Sequence, residues 1–189
     1  MTEKMYALKL MGTVKGQMKC LSEDRLEEYY KRIKVLMGTY RKLVIESQVV
    51  LEELEAECQE KINENLAYAL DYINKYDYRI NVARLHYEME NLLVIYGLSD
   101  LIHRSLILTK YYAPQGKELE EIIRKCYCNS IRHKDEDIQL ELGYGRSKFY
   151  ERKKTALKYL GFYFYEIVLP LTKIEEKQSR KERESSLYS

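Results

Sequence analysis

A basic stretch near the C-terminal end of the chain contains the residues whose types and spacing could do chemistry. The segment "ELGYGRSKFYERKKTALKYLG" covers residues 141–161, and its part from residue 146 to 160 has six basic side chains and one acidic one. Lysine and arginine can neutralise phosphate groups. This local excess is large for a chain whose net charge is only +2. The stretch therefore indicates nucleic-acid binding through a local patch.

Patterns typical of enzymes and metal sites do not occur in the sequence. There is no phosphate-binding glycine loop, zinc-protease motif or nucleophile elbow. Cys126 and Cys128 are two residues apart, so on a helix they point away from each other. Together with His133 they fall short of a four-ligand zinc site. We therefore expect no enzymatic activity, no metal and no cofactor, and the two cysteines are most simply buried thiols.

The composition predicts an all-α fold. The 189 residues include only 2 Pro and 8 Gly, and neither type occurs between Gly38 and Gly97. No secretory signal opens the chain, and no apolar run approaches the roughly 20 residues of a membrane span. The longest such run, "GFYFYEIVLPL" at residues 161–171, is too apolar to remain in water. It should pack beneath the basic helix or against a partner chain, in a cytoplasmic protein with no membrane partner.

Residues 1–97 are predicted to form a module of long helices, for scaffolding or oligomerisation. Apolar residues recur in steps of three and four along one register, with Ser47 as the only polar member. Past Cys58 the chain could continue as one long helix or turn near residues 63–65 into an antiparallel hairpin. The apolar stripe could pack within a bundle of this chain or form a coiled coil between chains. The register comprises Leu26, Tyr30, Ile33, Met37, Tyr40, Val44, Leu51, Leu54 and Cys58.

Residues 98–172 are predicted to form a helical DNA-binding domain, followed by a disordered charged tail at 173–189. Ser99 can cap a helix that begins at Asp100 and ends near Tyr112, before Pro114 and Gly116. Further helices are expected at residues 117–131 and 133–143.

Residues 135–160 have the pattern of a helix-turn-helix. Ile138 and Leu142 share one face of the first helix, and Gly143 can end it in the left-handed conformation. The second helix has an apolar stripe of Phe149, Ala156, Leu157 and Leu160. Its opposite face comprises the predicted DNA-binding residues: Arg146, Ser147, Lys148, Tyr150, Arg152, Lys153 and Lys154. The first four lie in the opening turns, where side chains reach groove edges, and the last three are better placed for phosphate.

The segment "DIQLELGYGRSKFYERKKTALKYLG" resembles the C-terminal helix-turn-helix of the ArpU and RinA families of phage regulators, which in turn resembles region 4 of sigma factors. The matching positions are Ile138, Leu142, Ser147, Phe149, Tyr150, Arg152, Lys153, Lys154, Ala156 and Leu157. The resemblance covers about 25 residues. It implies a sequence-specific transcriptional regulator of phage or mobile-element genes, with double-stranded DNA as its partner and RNA polymerase as a further candidate.

Two other functions fit the same residues. A small terminase-like DNA-packaging protein also combines a helix-turn-helix with oligomerising helices, and would assemble as a ring. A helical adaptor would use the basic helix to bind an acidic protein and would show no salt-sensitive binding to duplex DNA. A homo-oligomer is expected for the two DNA-binding alternatives.

Overall fold

The computed structural model describes residues 2–18, 21–62, 82–129, 131, 133–175 and 177, and most of these residues are helical. No strand occurs in those ranges. The all-α prediction is therefore confirmed. The predicted turn near residues 63–65 and most of the predicted disordered tail lie outside the described residues.

Six α-helices occur in the described ranges, and two of them continue into wider, π-helical turns. The bounds are α1 (Glu3–Met18), α2 (Glu23–Ile62), α3 (Val82–Tyr112), α4 (Gly116–Ile123), α5 (Asp135–Glu141) and α6 (Arg146–Phe162). After α4 the π-helical turn spans Arg124–Cys128. After α6 it spans Tyr163–Val168, and residues 169–175 continue as α-helix. The predicted helices at 117–131, 133–143 and 146–160 are thus present with shifted ends.

Helix α3 begins well before the predicted start at Asp100. Ser99 lies inside the helix, so the prediction that it caps the N-terminus is wrong. A serine followed by an aspartate is a start signal only where the chain before it leaves the helical conformation. Here the apolar residues before Gly97 remain helical, and a glycine within a helix costs only about 1 kcal/mol. The predicted end at Tyr112 is correct.

The described chain divides into two compact units. The first combines Met1–Thr39 with Leu101–Ser189, and the second is Tyr40–Asp100. This division differs from the predicted modules 1–97 and 98–172, because the first 39 residues group with the C-terminal part. Both α2 and α3 contribute residues to both units.

The predicted register along α2 is buried over its first half. Leu26, Ile33 and Met37 are buried within the first unit. Beyond Thr39 the same register is less protected, since Tyr40 and Leu51 are half-buried and Val44 is exposed. The register therefore packs within this chain over residues 26–37, as the bundle reading predicted.

The aromatic run after α6 packs inside the first unit. Tyr163, Phe164, Ile167 and Val168 are all buried, and α1 contacts this π-helical turn. Of the two predicted placements for the run, packing within the chain is the one observed. The wider turn lies just before Pro170, which lacks an N–H and whose ring crowds the carbonyl four residues earlier. A widened turn at this place accommodates the proline and lets the helix continue through residues 169–175.

Helices α2 and α6 cross at close range. A Cβ added to Gly161 would lie 2.8 Å from the backbone oxygen of Tyr29, so only glycine fits there without displacement. Near this crossing the Arg25 guanidinium lies 2.8 Å from a carboxylate oxygen of Glu166, which also accepts a hydrogen bond from the Tyr29 hydroxyl. The crossing fixes the distance between the two helices.

One helical segment, Asn91–Tyr112, is long and apolar enough to cross a membrane by length and composition alone. This differs from the expectation that no apolar run approaches the length of a membrane span; the segment contains Asp100, Arg104 and Lys110. Ser105–Thr109 are buried in the first unit, whereas Leu93, Val94 and Tyr96 are exposed, and 39% of the most apolar window of the segment is buried.

Replacement of Gly161 by alanine tests the close crossing. We expect Gly161→Ala to lower the free energy of unfolding by about 1–3 kcal/mol, because the added methyl group meets backbone of α2 that has to move. Gly38→Ala is the matched control, since nothing lies within 4 Å of a Cβ there. It should raise stability by up to about 1 kcal/mol. Chemical denaturation measures both, and equal effects of the two substitutions would contradict the close crossing.

Candidate nucleic-acid interface

A tight turn joins α5 to α6. Gly143 adopts the left-handed conformation with φ +69°, as predicted. Its N–H donates to the carbonyl of Leu140 (3.1 Å), and the N–H of Tyr144 donates to the carbonyl of Gln139 (3.0 Å). These two bonds form a Schellman motif, which satisfies carbonyls at the end of α5. Gly145 then has extended backbone angles and precedes the first residue of α6, so the turn between the two helices comprises residues 142–145.

The apolar side of α6 is buried as predicted. Phe149, Ala156, Leu157 and Leu160 are all buried, and so is Ile138 on α5. Leu142 is half-buried. Helix α4 packs against α6, and its Leu119, Ile122 and Ile123 are buried as well. The position of α6 is therefore set by its apolar stripe.

Four of the seven predicted DNA-binding residues are exposed together at the N-terminal end of α6. They are Arg146, Ser147, Lys148 and Tyr150. The Lys148 ammonium lies 5.4 Å from the centroid of the Tyr144 ring. The ring of Tyr150 meets that of the buried Phe149 edge-on, with centroids 5.5 Å apart. These two aromatic contacts restrict the directions that the exposed side chains take.

The other three predicted DNA-binding residues each contact a carboxylate of the chain. Arg152 Nε lies 3.2 Å from Glu118, and Lys154 Nζ lies 3.1 Å from Glu27. Lys153 Nζ donates to both oxygens of Asp135, at 2.7 and 2.8 Å. These three residues were predicted to contact phosphate, and in the structure they form ion pairs within the chain.

Lys158 extends this set of ion pairs toward α2. Its ammonium lies 3.1 Å from Glu27 and also contacts Glu23. The pKa of Lys158 is raised chiefly by the hydrogen bond to Glu23, and the pKa of Glu27 is lowered by hydrogen bonds from Lys154 and Lys158. The two glutamates and the two lysines are each four residues apart, so they form matching rows on facing helices.

Lys153 is the most enclosed of the predicted cations. Only 17% of its side chain is exposed, and its ammonium lies 5.3 Å from the Tyr127 ring centroid. Burial alone would lower its pKa, but the hydrogen bond to Asp135 and the nearby Tyr127 raise it overall. Burial also raises the pKa of Tyr127. Lys153 therefore stays charged and ties α6 to the start of α5.

Sequence reasoning missed the acidic partners of α6. They come from α2 (Glu23 and Glu27), α4 (Glu118) and α5 (Asp135). Two signals were available. The four-residue spacing of Glu23 and Glu27 repeats that of Lys154 and Lys158. In addition, residues 135–160 as a whole have five acidic side chains against six basic ones.

The cysteines do not define a metal site. Cys126 and Cys128 are half-buried in the π-helical turn after α4, and His133 is exposed. In the part of the chain that the structure describes, no group of three or more His, Cys, Asp or Glu residues could hold a metal ion.

No protein-family model matches the chain, and no curated protein or solved structure is significantly similar to it. The proposed function therefore rests on the geometry above and on the short resemblance at residues 137–161.

The pKa of Glu27 gives a test of the ion pairs between α2 and α6. Because this pKa lies below its ordinary value of 4.5 in the folded chain, the unfolded state binds more protons in this range. Stability should therefore fall as the pH drops from about 4.5 through the lower folded value. In Glu27→Gln this part of the loss of stability at acidic pH should disappear. Denaturation curves collected between pH 7 and pH 3 measure it.

Glu28→Gln is the control, since Glu28 lies 3.7 Å from Arg32 of its own helix, with both side chains largely exposed. It should keep the wild-type acid dependence. The ion-pair assignment is contradicted if Glu27→Gln retains the full acid dependence as well.

Proposed function

We propose that this protein binds double-stranded DNA through the first turns of α6 and acts as a transcriptional regulator. The observation that carries the proposal is the joint exposure of Arg146, Ser147, Lys148 and Tyr150 at the start of a helix whose other side is buried. Residues at this end of a recognition helix are the ones that reach base edges in a major groove.

The types of these four residues suit duplex DNA. Arginine and lysine make the commonest specific contacts to guanine, and serine and tyrosine hydroxyls bind phosphate oxygens. The backbone N–H groups at the start of α6 add a site that favours phosphate. A turn fixed by Gly143 and a buried Phe149 would hold these groups in place without a change of the backbone.

The ion-paired part of α6 has a different role in this proposal. Because Arg152, Lys153 and Lys154 each contact a carboxylate, their charge is largely balanced within the chain. They hold the helix against α4, α5 and α2, respectively. The DNA contact is therefore confined to residues 146–150, which is narrower than the seven residues that the sequence indicated.

The role in transcription is supported by the resemblance of residues 137–161 to the ArpU and RinA regulators. A packaging protein with a similar helix-turn-helix would bind DNA in the same way, but would assemble as a ring. An adaptor for an acidic protein would use the same exposed cations without binding DNA. These alternatives give different results in the experiment below.

Binding to duplex DNA as a function of salt tests the proposal. Arg146→Ala combined with Lys148→Ala should weaken binding by roughly 10- to 100-fold at low salt. The slope of log affinity against log salt should become shallower by about 2, because two cations that displace counterions from the DNA are lost. Fluorescence anisotropy with mixed-sequence and promoter duplexes measures both quantities, and a preference for promoter DNA would support the regulator.

Two control variants show whether a loss of binding comes from the contact at residues 146–150 or only from the lower positive charge of the protein. Lys4→Ala with Lys9→Ala removes the same charge from exposed positions of α1 and should leave the affinity nearly unchanged. Lys154→Ala with Lys158→Ala removes two ion-paired cations and should weaken binding less than the Arg146 and Lys148 pair. No binding at low salt would contradict the proposal and favour the adaptor.

A further inference from the structure

The second unit exposes one face of α2 that contains two apolar residues. Ile45 and Val49 are 43% and 49% exposed and lie one turn apart. At 3.6 residues per turn they share an arc of about 120° with two basic and two acidic residues. We call this arc the outer face of α2; it comprises Arg41, Lys42, Ile45, Val49, Glu52 and Glu53.

The outer face points away from α3. Ser47 lies on the opposite side of α2 and is buried, and its hydroxyl donates to the carbonyl of Val44 at 2.8 Å. On that side an apolar groove between α2 and α3 is lined by Leu43, Ser47, Val50, Leu92 and Ile95, among others. Packing within the second unit therefore uses the other side of the helix and leaves Ile45 and Val49 to solvent.

The residues of the outer face are spaced symmetrically along the helix, and its two ends have opposite charges. Two bases come first, two apolar residues occupy the middle, and two acids come last. Residues 41 and 53, 42 and 52, and 45 and 49 are each equidistant from position 47. A helix with this order is complementary to a copy of itself that runs in the opposite direction.

We infer that the outer face of α2 is the contact with a second copy of this chain, arranged antiparallel about a two-fold axis near residue 47. Ile45 of each copy packs against Val49 of the other. Arg41 and Lys42 lie opposite Glu53 and Glu52, so both charged ends are complementary. A two-fold contact requires one patch to complement itself in this way. The inference does not depend on DNA binding.

The charge order favours a second copy over other occupants. A phosphate surface, whether DNA or an anionic membrane, would be repelled by Glu52 and Glu53 at one end of the face. Lys42 and Glu52 of this face each have an exposed partner in their own helix, and such contacts contribute little. Lys42 Nζ lies 3.5 Å from Glu46, with the two side chains 77% and 56% exposed, and Gln48 donates to Glu52 at 3.1 Å.

Charge reversal of each end tests the inference with full-length protein. The first variant is Arg41→Glu with Lys42→Glu, and the second is Glu52→Lys with Glu53→Lys. Each variant alone places like charges opposite each other. Its dimer dissociation constant should therefore rise by about tenfold or more. An equimolar mixture of the two restores opposite charges at both ends and should dimerise with about the wild-type affinity.

Sedimentation equilibrium of the wild type, each variant and the mixture measures the association, and circular dichroism checks that each variant is folded. The inference is overturned if the wild type remains monomeric at roughly 100 µM in low salt. It is also overturned if the single variants associate like the wild type, or if the mixture of two folded variants stays monomeric.

Discussion

The contact between α2 and α6 is the constraint on which the first unit depends. Gly161 allows the backbones to approach closely, and the rows of Glu23 with Glu27 and Lys154 with Lys158 meet along the same pair of helices. Ion pairs at exposed positions contribute little stability, but the Lys158 side chain is only 13% exposed. A lysine in that position needs its carboxylate partners, because leaving it uncompensated would be costly.

This contact divides the basic helix into an ion-paired part and an exposed N-terminal part. Its middle and C-terminal cations satisfy carboxylates of the chain and keep α6 in place. Near its N-terminal end, Arg146, Ser147, Lys148 and Tyr150 face solvent. In such a helix a packed, ion-paired part holds a short polar end in a fixed position, which suits recognition that depends on fixed side-chain positions. The net charge of α6, counted without the carboxylates that pair with it, overstates the number of cations that a ligand can contact.

Much of the fold was predictable from the sequence, since local signals decided it. The small number of glycine and proline residues predicted the long helices, and Gly143 predicted the end of α5. The spacing of Phe149, Ala156, Leu157 and Leu160 predicted the buried side of α6. The start of α3 was not predictable in this way, because a cap signal at Ser99 occurs inside a helix that continues through it.

The candidate site was predictable only in part. Exposure of Arg146, Ser147, Lys148 and Tyr150 followed from their phase relative to the apolar stripe. The ion pairs of Arg152, Lys153 and Lys154 did not, because their partners belong to three other helices and tertiary packing brings them together. Lys153 shows the limit most clearly: its position on the helix indicated a surface residue, and the neighbouring Tyr127 and Asp135 enclose it.

Amide chemical-shift mapping during titration with duplex DNA at low salt would test the central claim most directly. The account predicts that the largest changes occur at residues 144–150, in the turn and the first turns of α6, and that residues 152–158 change little. Changes concentrated at Arg152, Lys154 and Lys158 would mean that the ion pairs open to bind phosphate. That result, or the absence of any change, would contradict the claim that DNA contacts the N-terminal end of α6 alone.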